Sequence, residues 1–228
     1  MPPAHSGNSQ VIPDAAIDSG WVILGWVLAA VGYWRCGSRL WKMRTAGVPW
    51  LPLLIASMAL IVLWQIRAGT LPGLSLHLLG AMLCTLVFGP ALAVAPLTLA
   101  LVSVYLTTFA DGSLFGLNAC LLVFWPIVLS QLLAHLVSRM PSNIFVFIFV
   151  GGFFASAGVV LLTGWTLAGM LWLMQIYPWG GMLEDFASYW LLVAFSEAWL
   201  TGMLLTVMVV YRPELVAMFD AARYIDRA

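Results

Sequence analysis

Seven blocks of apolar residues, parted by short polar stretches, fill most of this chain: 17–34, 49–66, 74–88, 91–109, 115–138, 144–176 and 187–210. A helix needs roughly 20 apolar residues to cross the hydrocarbon core of a bilayer, and each block approaches that length. The third and fourth are short and meet at Gly89-Pro90. Proline lacks an amide donor and clashes with the preceding turn, so a helix break is predicted there. The long sixth block predicts a tilt, a kink near Gly151-Gly152, or a helix that runs beyond the bilayer. The pattern predicts an all-α, polytopic integral membrane bundle of about seven transmembrane spans. Its parts are a tail over 1–16, a single transmembrane domain over 17–211 and a second tail over 212–228.

Cations set the expected orientation. Arg35, Arg39, Lys42 and Arg44 follow the first block; Arg139, Arg212, Arg223 and Arg227 fall on the same side if seven spans alternate, and Arg67 falls opposite. Positive residues collect on the cytoplasmic side, so the N-terminus is expected outside and the C-terminus inside, in the plasma (inner) membrane. The other side receives Asp14, Asp18, Asp111, Glu184 and Asp185. No Lys or Arg precedes the first block, so it reads as a retained span, not a signal peptide. Trp21, Trp50, Trp179 and Trp190 sit near block ends, as interfacial anchors do.

Composition supports the bilayer as solvent. Hydrophobic residues make up 63% of the 228 and charged residues 8%, at a mean hydropathy of +1.03. A soluble chain carries about 25% charged residues. The formal net charge is zero, which gives no basic field for nucleic acid. Cys36, Cys84 and Cys120 are scattered and form no CxxC pair, so they read as small packed residues. In lipid, helices associate through small residues. Ala194, Ala198 and Gly202 line one face of the last block, and Gly25 with Ala29, and Gly152 with Ser156, offer shorter ones.

Few polar groups interrupt the blocks, and an ionisable residue at membrane depth is a functional candidate. His77, Asp111 and Asn118 share one depth near the outer surface by topology alone. Asp111-Gly112 also suits a plain turn, and Asn118 a bond to nearby backbone. Glu197 falls mid-span, where an isolated charge costs at least ~2.5 kcal/mol. It is therefore expected protonated or hydrogen-bonded, with Gln131 and Ser196 as candidate neighbours and with Glu197→Gln tolerated. A structural clasp and a transport role both fit it. His135 lies at the opposite face from His77, which argues against one haem between them. His5 lies in the tail and reads as solvated. No GxSxG, HExxH or Walker-A pattern occurs, so no enzyme activity is expected.

The stretch 73–118 resembles the cobalt/nickel energy-coupling-factor permease family (CbiM and NikM). The resemblance rests on Gly73-Leu74-Ser75-Leu76-His77-Leu78-Leu79-Gly80 against the family's GTSxHLxG, and on Phe88-Gly89-Pro90 against its LGP break. It also rests on Phe109-Ala110-Asp111-Gly112-Ser113 with Phe115-Gly116-Leu117-Asn118 against FADGG…LGxN. Glu197-Ala198-Trp199-Leu200-Thr201 is similar to EGxxT, and Tyr211-Arg212-Pro213-Glu214-Leu215 to RPEL. The resemblance implies uptake of a divalent transition metal, with Co2+ or Ni2+ as substrate and no resident cofactor. It implies a transmembrane coupling subunit and cytoplasmic ATPase subunits as partners. It also implies a metal held by the amino terminus, the next backbone nitrogen, a histidine at position two, and the histidine at 77. The front departs from that pattern. Val11 stands at the place of the chelating histidine, and Pro2 and Pro3 have no amide to give. The expected site is therefore weak, built from His77, Asp111 and Asn118. A non-transport membrane interaction or assembly protein on the same scaffold is the competing reading.

Overall fold

The computed structural model describes residues 17–43, 49–71, 74–108, 110, 112–176, 179–182, 188–220 and 224. Asp18 accepts the Gly20 amide at 3.0 Å, as an N-cap carboxylate does, and α1 (Ser19–Met43) starts behind it. The helix runs nine residues past the expected end at 34. Its apolar content thins there, but nothing breaks the backbone pattern, so Arg35 and Arg39 stand on its last turns. α2 (Trp50–Gln65) follows.

The third block is not a continuous helix. It opens as a hairpin strand, β2 (Leu74–Leu76), antiparallel to β1 (Ala68–Leu71), with Ala68 opposite Leu76 and Gly69 opposite Ser75. Residues 77–80 continue without regular structure, and only then comes α3 (Ala81–Phe88). Eight residues of helix rise about 12 Å, well short of the roughly 30 Å hydrocarbon core. The expected helix over 74–88 is thus a strand, an irregular segment and a half-helix. At Gly89 the backbone turns with φ 78°, a value glycine adopts without strain. Pro90 then opens α4 (Pro90–Thr108), where its missing amide donor costs nothing.

α5 spans Gly112–Val137 and α6 spans Val146–Leu173. Each contains π-helical backbone, at Cys120–Phe124 and Val146–Phe154. The second stretch contains Gly151-Gly152, where a kink is one of the three outcomes the sequence predicts, beside a tilt and a helix that runs beyond the bilayer. After a short turn of helix at Trp179–Met182, α7 (Tyr189–Tyr211) completes the bundle. Among the described residues four helices, α4 to α7, are long and apolar enough to cross a membrane by length and composition.

Small residues set the helix contacts. A Cβ on Gly25 would lie 2.7 Å from the Leu117 amide nitrogen, and one on Gly116 equally close to the Trp26 backbone. α1 and α5 therefore cross almost backbone to backbone, and the Trp26 indole donates to the Ser113 carbonyl at 2.8 Å. Ala194 and Ala198 of α7 are buried, and a Cβ on Gly152 would meet Leu205 at 2.7 Å. The small face of α7 thus serves packing against α6. The outer surface is apolar, with Ile23, Leu51, Phe145, Trp199 and Tyr211 all exposed, as lipid requires.

The segment after α7 is not a free tail. Val216, Phe219 and Tyr224 are buried, and Phe219 stacks on Tyr224 with centroids 5.3 Å apart while both rings meet Phe147 of α6. The Ala217 and Met218 amides donate to the Val87 and Leu86 carbonyls at 3.0 Å each. This fixes the end of α3 at the same end of the bundle as the C-terminal segment. Arg35 and Arg39 line a cleft with Pro90 there, at the start of α4.

Candidate functional site

The site grows from the irregular segment 77–80, at the opposite end from the arginines. Backbone at membrane depth that is neither helix nor closed sheet must find hydrogen-bond partners inside the protein. Here they come from the two flanking helices. Trp64, in the last turns of α2, donates its indole N–H to the Leu79 carbonyl at 3.2 Å. Glu197, in the middle of α7, accepts the Leu79 amide on Oε2 at 2.8 Å and the Gly80 amide on Oε1 at 2.6 Å. Gly80 caps α3 with φ 70°, so both donors sit at the positive end of that helix. Both carboxylate oxygens accept, each from one amide at the start of α3. Gly80 has no room for a side chain: a Cβ there would strike Leu60 of α2.

His77 is buried. Its ring packs on the Trp64 indole with centroids 4.4 Å apart and planes tilted by 41°. Nδ1 lies 3.0 Å from the Leu78 carbonyl. A carbonyl can only accept, so Nδ1 carries the proton and Nε2 keeps its lone pair. Fixing the tautomer through the second ring nitrogen is how ligating histidines are usually held. His77 lines an open cavity of about 630 Å3 between the end of α2, the hairpin and the start of α7. Arg67, Tyr189 and Ser196 contribute its polar groups, and Leu63, Leu76 and Leu192 part of its apolar wall. Partial burial lowers the pKa of the Arg67 guanidinium, which still stays charged.

The other expected site residues that the structure describes lie elsewhere. Asn118 does not line this cavity. It sits on α5, donates to the Tyr105 hydroxyl at 2.6 Å, and its Oδ1 has no partner among the described residues. Asp111, His5 and Val11 lie outside the described residues. Gln131 is exposed in the cleft with Arg35 and Arg39 and does not meet Glu197. The Ser196 hydroxyl bonds its own helix at Leu192 instead. His135 accepts from Arg139 at 3.1 Å, at the arginine-bearing end. Among the described residues no group of three His, Cys, Asp or Glu side chains could hold a metal ion. Sequence reasoning missed Trp64, Gly80 and the amides of 79 and 80. The two amides have no side-chain signature, and only the glycine that ends Leu78-Leu79-Gly80 hints at a special turn.

The sequence matches the family described as "CbiM: Cobalt uptake substrate-specific transmembrane region" over residues 12–215. The chain belongs to this family. It is a membrane protein, a transmembrane component of the cobalt-uptake kind, and CbiM proteins work with other transporter subunits. A structure described as that of a truncated transition metal transporter superposes on it with a TM-score of 0.66 at 16% identity. The match covers 89% of this chain and 99% of that one. At that identity the likeness speaks for the fold. No curated protein matches the sequence.

Proposed function

We propose that this CbiM-family chain is the substrate-capturing membrane subunit of an energy-coupling-factor transporter, and that its substrate is a divalent transition metal of the cobalt and nickel class. It works with a transmembrane coupling subunit and cytoplasmic ATPase subunits. It crosses the plasma (inner) membrane seven times, counting the broken third passage, with the hairpin end outside and the arginine-bearing end inside. The observation that carries this reading is His77: a buried imidazole in the wall of a cavity, with its tautomer fixed so that Nε2 can ligate.

The chain is a divergent member, and its metal affinity is low. Val11 in place of a chelating histidine supports that. A set of one imidazole plus oxygen donors imposes no geometry, so affinities follow the general divalent order, with Cu(II) ahead of Ni(II) and Ni(II) ahead of Co(II). Asp111 is the residue proposed to join His77; Asn118, which bonds Tyr105 and does not line the cavity, is not. Co-purification tests the assembly: tagged protein expressed from its native locus should carry a second membrane subunit and an ATPase. Recovery of the chain with neither would favour an interaction or assembly role on the same scaffold.

A further inference from the structure

α3 is gripped at both ends by one stretch of chain. At its start the Leu79 and Gly80 amides donate to Glu197, in the middle of α7. At its end the Leu86 and Val87 carbonyls, among the last four that any helix leaves without an internal donor, accept from Met218 and Ala217, just beyond α7. Each end also carries a glycine at positive φ, Gly80 at 70° and Gly89 at 78°. Between them seven of the eight residues are buried, Leu83 being the exception. α3 is thus a short, close-packed rod between two glycine joints, and His77 lies four positions before its first residue.

We propose that α3 couples the cavity at His77 to the C-terminal segment 216–219 at the far end of the bundle. A shift of 77–80 cannot be absorbed inside α3, because a packed helix moves as a unit rather than deforming. It must either break the clasp at Glu197 or carry α3 along its axis. Axial movement then pulls on the two bonds to Ala217 and Met218. Those residues adjoin Phe219, whose ring belongs to the Phe147–Tyr224 cluster, so the movement arrives at the arginine-bearing end. Linkage runs both ways: whatever fixes 216–219 must bias the His77 segment to the same extent. The coupling itself does not depend on which ligand enters the cavity. It rests on the proposed metal site only where metal is used to drive it.

Hydrogen exchange of the detergent-purified full chain, resolved to single amides, reads this directly. In Glu197→Gln, which weakens the near grip, the Ala217 and Met218 amides should exchange about tenfold faster, a loss comparable to one hydrogen bond. Amides in the middle of α4 and α6 report the global loss of stability, and the acceleration at 217 and 218 should exceed theirs. In Ala217→Pro, which removes the far donor to Val87, the Leu79 and Gly80 amides should speed up to a similar degree. Acceleration confined to the substituted end overturns the proposal, and so does uniform acceleration across all helices, which would mean lost stability alone. Co(II) added to the wild type should slow exchange at 217 and 218. Slowing at 77–80 alone also counts against coupling. If Co(II) does not bind, the transport reading fails, and the two metal-free variants still decide the role of α3.

Discussion

The third and the last passages of this chain differ in how they satisfy their backbone. α7 is a regular helix of 23 residues, and nearly all its amides and carbonyls bond within it. The third passage, 74–88, spends half its length outside any helix. It borrows partners: an indole from α2, a carboxylate from α7 and two amides from the C-terminal segment. Self-sufficient backbone leaves α7 free to vary its side chains for packing. Dependent backbone makes the third passage sensitive to single distant residues, and it is there that the chain places its buried histidine. Irregular backbone is tolerated at membrane depth only where protein or a cavity surrounds it, and such broken helices commonly bound substrate sites in transporters.

If the third passage depends on α7 as argued, the largest loss should come from Glu197. Glu197→Lys sets a cation against two amide donors and a helix N-terminus and should abolish accumulation of folded protein, read as detergent-soluble monodisperse yield. Glu197→Gln should lower stability by about 1–3 kcal/mol in thermal unfolding, because its amide NH2 must face a backbone N–H. That reverses the tolerance expected from sequence alone, which took a neutral side chain as an adequate substitute. An unchanged melting temperature in Glu197→Gln would show that a neutral side chain serves the clasp equally well.

Gly80→Ala should cost nearly as much, about 2 kcal/mol, from an unfavourable φ and from the collision with Leu60. Leu60→Ala in the same chain should recover part of it. Gly89→Ala shares the positive φ but has open space, so about 1 kcal/mol is expected. Equal losses at the two glycines would mean that the Leu60 contact contributes nothing. Trp64→Phe keeps a ring against His77 and removes the donor to Leu79, for a loss of about 1 kcal/mol. The comparison is sharpened by a control in a regular helix: Gly37 in α1 has nothing nearby, and Gly37→Ala should stabilise by about 0.5 kcal/mol.

The apolar blocks made most of the fold legible. Five of the seven blocks are helices near their expected limits, α1 overruns its block, and the Gly89-Pro90 break separates α3 from α4. The third block was misread because leucines at 74, 76, 78 and 79 count equally toward a helix or a strand. The alternation Leu74-Ser75-Leu76-His77-Leu78 was the available signal for extended backbone. α1 ran long because helix length follows backbone continuity, whereas the block was bounded by hydropathy. The buried C-terminal segment was also visible in outline, since Val216, Met218 and Phe219 are poor candidates for a solvated tail. The site was legible only in part. His77 and Glu197 stand out as rare ionisable residues, but their partners are a tryptophan and backbone groups, which carry no pattern in a single sequence.

The central claim is that His77 supplies a metal-ligating nitrogen to the cavity between α2, the hairpin and α7. Calorimetric titration of the purified full chain with Co(II), Ni(II) and Cu(II), beside His77→Ala, tests it most directly. We expect one weak site for each metal, strongest for Cu(II) and absent in His77→Ala. It should weaken as pH falls into the range where the buried imidazole takes up a proton, because imidazole must be neutral to bind. Binding that survives His77→Ala, or that ignores pH across this range, would contradict the account.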